Sequence, residues 1–242
     1  MAQTVVFDGH RLNDLFFVGD VSVGLPEFLP TVEERVGDGS RVRGTRLGTV
    51  AISVPLVVRP SRGTTARQAL SALMSWLDVD GARELSLSRD GGLVRMCVPS
   101  GAPQVLDARW NDRVVVTLTQ VDPALYGERR EVAVPSGGSA TVLVGGDYPT
   151  RPTVTASAAT RSASNLWGVS ADGSQLLRVA VSTASAVRVE ADCGARTCRV
   201  SGIVTAPTLD SDWISLSPGT HVVRNDVGSG GCVVAWRERW HR

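Results

Sequence analysis

The chain has 242 residues, 43% of them apolar and 20% charged, with a formal net charge of +1. That leaves room for one large domain or two ordinary ones, and it is too apolar for a disordered chain. The charge balance argues against a double-stranded nucleic-acid binder, which needs a basic surplus.

The N-terminus, MAQTVVFDGHRLNDLFF, lacks a basic region followed by a long apolar stretch, so no secretory signal is expected. No run approaches the roughly 20 apolar residues that cross a bilayer. A cytosolic protein is expected, leaving the cell only as part of an assembly. The chain contains no lysine. A GC-rich genome explains that first, and an arginine-rich interface is the functional alternative.

Asp8-Gly9-His10 sets a carboxylate beside a histidine, but a triad also needs a placed nucleophile and oxyanion donors, so a turn between two strands is expected. Residues 33–48, EERVGDGSRVRGTRLG, are turn-rich and mix both charge signs around Asp38-Gly39. VAISVPLVV (50–58) is a long apolar strand. A helix follows, capped by Thr64 or Thr65, with Ala66, Leu70, Leu73, Met74 and Leu77 forming one apolar stripe for the core and Gly81 ending it. Trp76 sits beside the stripe at the core edge, and Trp110 precedes an Asn111-Asp112 turn. LVRMCV (93–98) and RVVVTLTQV (113–121) are further strands. In the latter, Val114, Val116 and Leu118 face the core until the polar Gln120. In VDPALYG, Pro123 cannot donate to a ladder, so the strand stops. The boundary is expected near 127/128, giving domains 1–127 and 128–242.

The second half reads as β throughout: REVAVP, ATVLVG, PTVTAS, QLLRVAVS, AVRVEA, TCRVSG, DWISLS, HVVRN and CVVAWRERW, separated by turn signals. This predicts an all-β sandwich. Cys193 and Cys198 flank GART, a hairpin loop that can bring them within bridging range. Without a signal peptide, free thiols are the default for all four cysteines, including Cys97 and Cys232. The three histidines do not cluster with cysteines, so no metal site or other cofactor is expected. His221 is expected to point outward and His241 to be solvated. Asp210 and Asp212 are a carboxylate pair on a strand, or simply solvated in a loop. No P-loop, G-x-S-x-G, H-E-x-x-H or dinucleotide fingerprint is present, and no enzyme activity is expected.

Two stretches, with FDGHRL near the start, carry a family resemblance. DPALYG closes an N-terminal region of strands plus one helix. RTCRVSGIVTAPTLDSDWISLSPGTHVV is followed by VVAWRERW. In order and spacing these resemble the distal tail proteins of long-tailed siphophages, over nearly the whole chain. CGART departs from the polar turn expected before SG. The resemblance implies a mainly β fold: an N-terminal belt domain, a β-barrel or split sheet with one α-helix, then a galectin-like β-sandwich projecting outward. It implies a structural virion protein at the tail tip, assembled in the bacterial cytoplasm. Six copies would form a ring between the tail tube protein and the tail-tip hub, possible mounts for receptor-binding proteins, with DNA passing only as cargo through the lumen and no membrane insertion. In such a ring Arg35, Asp38, Arg41, Arg43 and Arg46 are candidates for an arm that pairs with a neighbour, the alternative being a solvated hairpin tip.

In SDWISLSPGTHVV, Ile214 and Leu216 are the inward pair of a strand, and Pro218-Gly219 is its turn. Trp213 covers the sandwich edge or serves as a sugar platform. With Trp236 it is the candidate surface contact if the sandwich binds host carbohydrate or a receptor, the functional alternative to a ring.

Overall fold

The computed structural model describes residues 3–34, 40–59, 65–105 and 113–241. They are mainly β, with one α-helix among them. The chain divides into two units, the first ending at Tyr126 and the second running Gly127–His241.

The first unit holds β1 (Val5–Phe7), β2 (His10–Arg11), β3 (Phe16–Val18), β4 (Ser22–Val23), β5 (Phe28–Glu34), β6 (Ser40–Leu47), β7 (Val50–Val58), α1 (Ala66–Leu77), β8 (Arg83–Leu87), β9 (Val94–Pro99), β10 (Gln104–Val105), β11 (Arg113–Gln120) and the start of β12 (Leu125–Val134). Its centre is the antiparallel pair β7–β11, where Val54 faces Val116 and Ile52 faces Leu118. Alternation puts Val50, Ile52, Val54, Leu56 and Val58 on the buried face. From this pair the sheet runs β11–β9–β8–β1 on one side and to β3 and β4 on the other. Strand β9 is a split point: Cys97 pairs with Gln120 of β11, and Val94 with Tyr126 of β12. Pro55 lacks an N–H, and the neighbouring edge is correspondingly broken into β3 (against 56–58) and β4 (against 52–53).

Asp8 and Gly9 both take positive φ (47° and 79°), the two-residue turn that joins β1 to β2. His10 stacks on Trp76 of α1 with ring centroids 4.8 Å apart. Thr65 caps α1 in a capping box with Gln68. Ala69 and Leu73 are buried, and Ala66, Leu70, Trp76 and Leu77 pack on the same core. Two expectations for the helix need correction. Met74 is 53% exposed, because it lies beside the stripe rather than on it. The helix ends at Leu77 with Asp78 as its C-cap, so Gly81 turns the chain into β8 instead of stopping the helix.

The second unit continues β12 and adds β13 (Ser139–Val144), β14 (Thr153–Ala159), β15 (Leu166–Ala171), β16 (Gln175–Ala180), β17 (Val187–Asp192), β18 (Thr197–Val200), β19 (Ile203–Val204), β20 (Gly219–Val227) and β21 (Cys232–Trp240). One sheet has the order β19–β18–β17–β14–β21–β12 and the other β13–β20–β15–β16. Val154, Val189 and Val234 from the first share a core with Val142, Trp167, Val179 and Val223 from the second, which makes a β-sandwich. Strand β15 carries no alternation because it is buried from Trp167 through Ala171. Gly230 (φ 94°) leaves no room for a side chain: a Cβ there would lie 2.1 Å from the Ala158 carbonyl. DWISLS is not a strand. Leu216 alone makes a bridge, to Thr150, with N–H···O distances of 2.8 Å each way. Ile214 and Leu216 nevertheless point into the core, as their hydrophobicity demands.

A buried polar network organises the DPALYG segment. Arg95, 1% exposed, grips Asp90 through Nε (2.8 Å) and Nη2 (3.0 Å). Its Nη1 donates to Gln120 Oε1 at 2.8 Å. Gln120 Nε2 in turn donates to the carbonyls of Asp122 (2.6 Å) and Ala124 (3.1 Å). Asp122 accepts from the Ala124 amide (2.9 Å) and from the Tyr126 hydroxyl (2.5 Å). Gln120 therefore continues the buried face of β11 instead of ending it, since its amide has partners on both sides. Removing only the cation should be costly. Arg95→Ala is expected to destabilise the protein by about 3–5 kcal/mol, because Asp90 is left buried and uncompensated. Replacing both, as Arg95→Met with Asp90→Leu, should recover most of that loss in chemical denaturation; a double variant as unstable as the single one would contradict this account.

Candidate assembly surface

Strands β5 and β6 pair with each other in a separate two-stranded sheet. None of their described residues belongs to the core of the first unit. The register gives the ribbon two faces. Phe28, Pro30 and Val32 alternate onto one, with Thr45 and Leu47 opposite them. Leu29 and Thr31 point the other way, opposite Arg46 and Gly44. Phe28 is 71% exposed and Val32 51%. A ladder shift between Thr31 and Val32 makes Arg43 the extra residue, and its guanidinium pairs with Glu33, with Nη2 2.7 Å from Oε1. A two-stranded ribbon is marginal in water without something to cover its apolar face.

Of the arginines expected on this arm, Arg43 pairs within the ribbon and Arg46 is exposed, with no partner among the described residues. Arg41 lies on β6, and Arg35 and Asp38 fall outside the described residues. Charge was the signal read from the sequence. The apolar alternation of FLPTVEE was overlooked, although it was visible as Phe28, Pro30 and Val32.

A groove lies at the C-terminal end of α1. Met74, Ser75, Leu77, Asp78, Pro99, Gly101 and Pro103 line about 490 Å³. Asp78 caps the helix where backbone carbonyls carry partial negative charge, and the last turn holds no basic residue.

In the second unit, Trp213 is half-buried and packs against the core. Trp236 is 7% exposed, so the expectation of a surface contact there is corrected: on β21 it faces the sandwich interior. Cys193 and Cys198 are free and buried in that same core, as Cys232 is, while Cys97 is free and buried in the first unit. Burial pushes the Cys193 thiol up to about 12 and the Cys198 thiol up to about 11. Asp210 sits in a loop with one oxygen 3.1 Å from Arg178, rather than in a carboxylate pair with Asp212. His241 is exposed, its ring edge-on to Tyr148.

His221 does not point outward. It alternates to the inner face of β20 and is 9% exposed. Its Nδ1 lies 2.7 Å from Asp172 Oδ2 and its Nε2 2.6 Å from the Ser217 carbonyl. Both partners only accept, so both ring nitrogens must donate, which requires the imidazolium. Burial pulls the histidine down, but the Asp172 hydrogen bond, the Ser217 carbonyl and the Asp172 charge outweigh it, and the net shift is upward. Asp172 is held below its ordinary value by the His221 hydrogen bond and then the Val222 amide. With Nε2 committed to a carbonyl, this ring fastens β20 to the β15–β16 turn and is not placed to act as a base.

Residues 145–240 match the family model described as "Siphovirus-type tail component, C-terminal domain". Among curated proteins no sequence matches the chain. Solved structures share its fold, among them these three. The crystal structure of the SPP1 Dit protein, described as a paradigm of the hub adsorption apparatus in Gram-positive infecting phages, superposes with a TM-score of 0.69 at 19% identity, covering 99% of each chain. A chain of the phage P2 baseplate in its activated conformation with Ca gives 0.51 at 7% identity, over 98% of both chains. The corresponding baseplate structure with Sr gives 0.50 at 8% identity, over 98% of this chain and 97% of the other.

The His221–Asp172 pair makes stability depend on pH in a definite sense. The raised histidine contributes fully below its ordinary value of 6.5, and that contribution is lost as pH climbs through the raised folded value. The lowered aspartate contributes above 3.8, and its share is lost as pH falls through the depressed folded value. The stability difference between wild type and His221→Gln, followed by thermal unfolding, should therefore shrink as pH rises above the histidine's ordinary value of 6.5 and through its raised folded value. A difference that stays constant across that range would contradict the imidazolium assignment.

Proposed function

We infer that this chain is a siphophage tail component of the distal tail type and that its copies close into a hexameric ring at the end of the tail tube. The ring joins the tube protein on one side to the tail-tip hub on the other, and its lumen carries the DNA. The role is architectural: the protein supplies interfaces, and no chemistry is assigned to it. The family model over residues 145–240 and the full-length likeness to a hub protein support a structural place in a phage tail.

The observation that carries the ring is the β5–β6 ribbon. It exposes Phe28 and Val32 on one face and gets no cover from the core of its own unit. A ring needs one head-to-tail interface repeated around an axis, and an arm with an uncovered apolar face is half of such an interface. A second reading has the sandwich touching host carbohydrate. Its best support is a hollow of about 510 Å³ lined by Ser170, Asp172, Gly173, Leu176, Val222, Arg224 and Asp226. No aromatic ring lines it, and Trp213 and Trp236 lie elsewhere, so the ring reading is preferred.

Light scattering coupled to size exclusion tests the ring. The expected mass is about six times that of one chain, approached with increasing concentration. A strict monomer at every concentration, also failing to bind tail tube or hub proteins, would overturn it.

A further inference from the structure

We propose that the groove at the C-terminal end of α1 is the socket for the β5–β6 arm of a second copy of this chain. The inference rests on the ring reading above and adds the partner surface that the arm occupies.

The two surfaces match in shape class and in charge. The arm presents Phe28, Pro30 and Val32 on a ribbon too thin to bury them itself. The groove presents Met74, Leu77, Pro99 and Pro103 around a volume of about 490 Å³, room for a few side chains. Met74 is 53% exposed although its helix neighbours Leu73 and Leu77 pack on the core. An unbranched thioether at a surface groove adapts to whatever side chain enters.

Charge selects the occupant. The rim of the groove carries Asp78, an exposed carboxylate with no partner among the described residues, beside the partial negative charge of the helix end. Strand β6 reads SRVRGTRL, with three arginines and no acid. Arg43 is satisfied by Glu33 within the ribbon, whereas Arg46 is exposed and has no partner among the described residues. Arg46 starts from the face opposite Phe28 and Val32, so its long apolar stem wraps the β6 edge to carry the guanidinium to the rim. A seated arm thus covers its apolar face and brings an exposed cation to an exposed anion, at a rim that would otherwise repel an acidic segment.

Thiol cross-linking tests the contact. Phe28→Cys and Met74→Cys are placed in one chain and treated with a short bismaleimide at neutral pH. The four native cysteines stay silent, because each is buried and its thiol is pushed up, to about 12 for Cys97 and Cys193 and about 11 for Cys198 and Cys232. The expected result is a ladder of covalent multimers on a denaturing gel, absent from either single variant. A cross-link confined to the monomer band would show the arm seated on its own chain and would overturn the proposal. A ring seen by light scattering without a ladder would overturn the socket and leave the ring standing. Neither ring nor ladder would remove both.

Charge exchange supplies an independent reading. Asp78→Arg should raise the concentration for half-assembly about tenfold or more, and adding Arg46→Asp to the same chain should restore it. Unchanged assembly in Asp78→Arg, with a wild-type melting transition, would also overturn the socket.

Discussion

Inside the first unit, a guanidinium sits almost wholly out of water. Arg95 cannot lose its proton, so its charge must be answered where it stands. Asp90 answers it through two parallel hydrogen bonds, and Gln120 takes a third donor. Everything after β11 in this unit hangs on that amide. Gln120 holds the carbonyls of Asp122 and Ala124, and Asp122 holds the Tyr126 hydroxyl at the start of β12. A one-residue slip of β9 or β11 would move Arg95 or Gln120 to the other face and leave buried polar groups unpaired. The network therefore fixes register as well as the path of the chain into β12.

The same logic of satisfied groups separates covered parts of the molecule from a ribbon whose apolar face is left open. In the sandwich, Trp167 lies in the core and His221 has an acceptor on each ring nitrogen. In the first unit, the apolar side of β7 is covered along its length. The β5–β6 ribbon breaks the pattern. Its ladder is intact and its alternation is sound, yet Phe28 and Val32 face water. Exposed apolar side chains on one face of an otherwise regular element are what an interface looks like before it is occupied.

The sequence made some of this legible and hid the rest, for physical reasons. Long alternating runs were readable, because β7 and β11 each have one buried face and a period of two. The cap was readable as Thr64 or Thr65 by their place before the helical stripe, and Thr65 fills it. Strand β15 was not, because burial on both faces erases the alternation. DWISLS imitated a strand: it alternates as one does, but only Leu216 finds a ladder partner, so its two apolar residues reach the core from a loop. Gln120 was expected to end the core face of β11 and His221 to point outward, because polar residues usually do. Both are buried, and their partners, Arg95 and Asp172, lie 25 and 49 residues away. No local pattern shows partners at that distance. On the arm, arginines drew attention that the apolar face deserved equally.

The central claim is that copies of this chain meet through the β5–β6 ribbon. Electron cryomicroscopy of the purified chain at an assembling concentration addresses it most directly. The account predicts closed rings in which each ribbon lies on the neighbouring copy, with Phe28 and Val32 covered. Rings whose ribbons stand free in solvent while neighbours touch elsewhere, or ribbons folded onto their own chain, would contradict it.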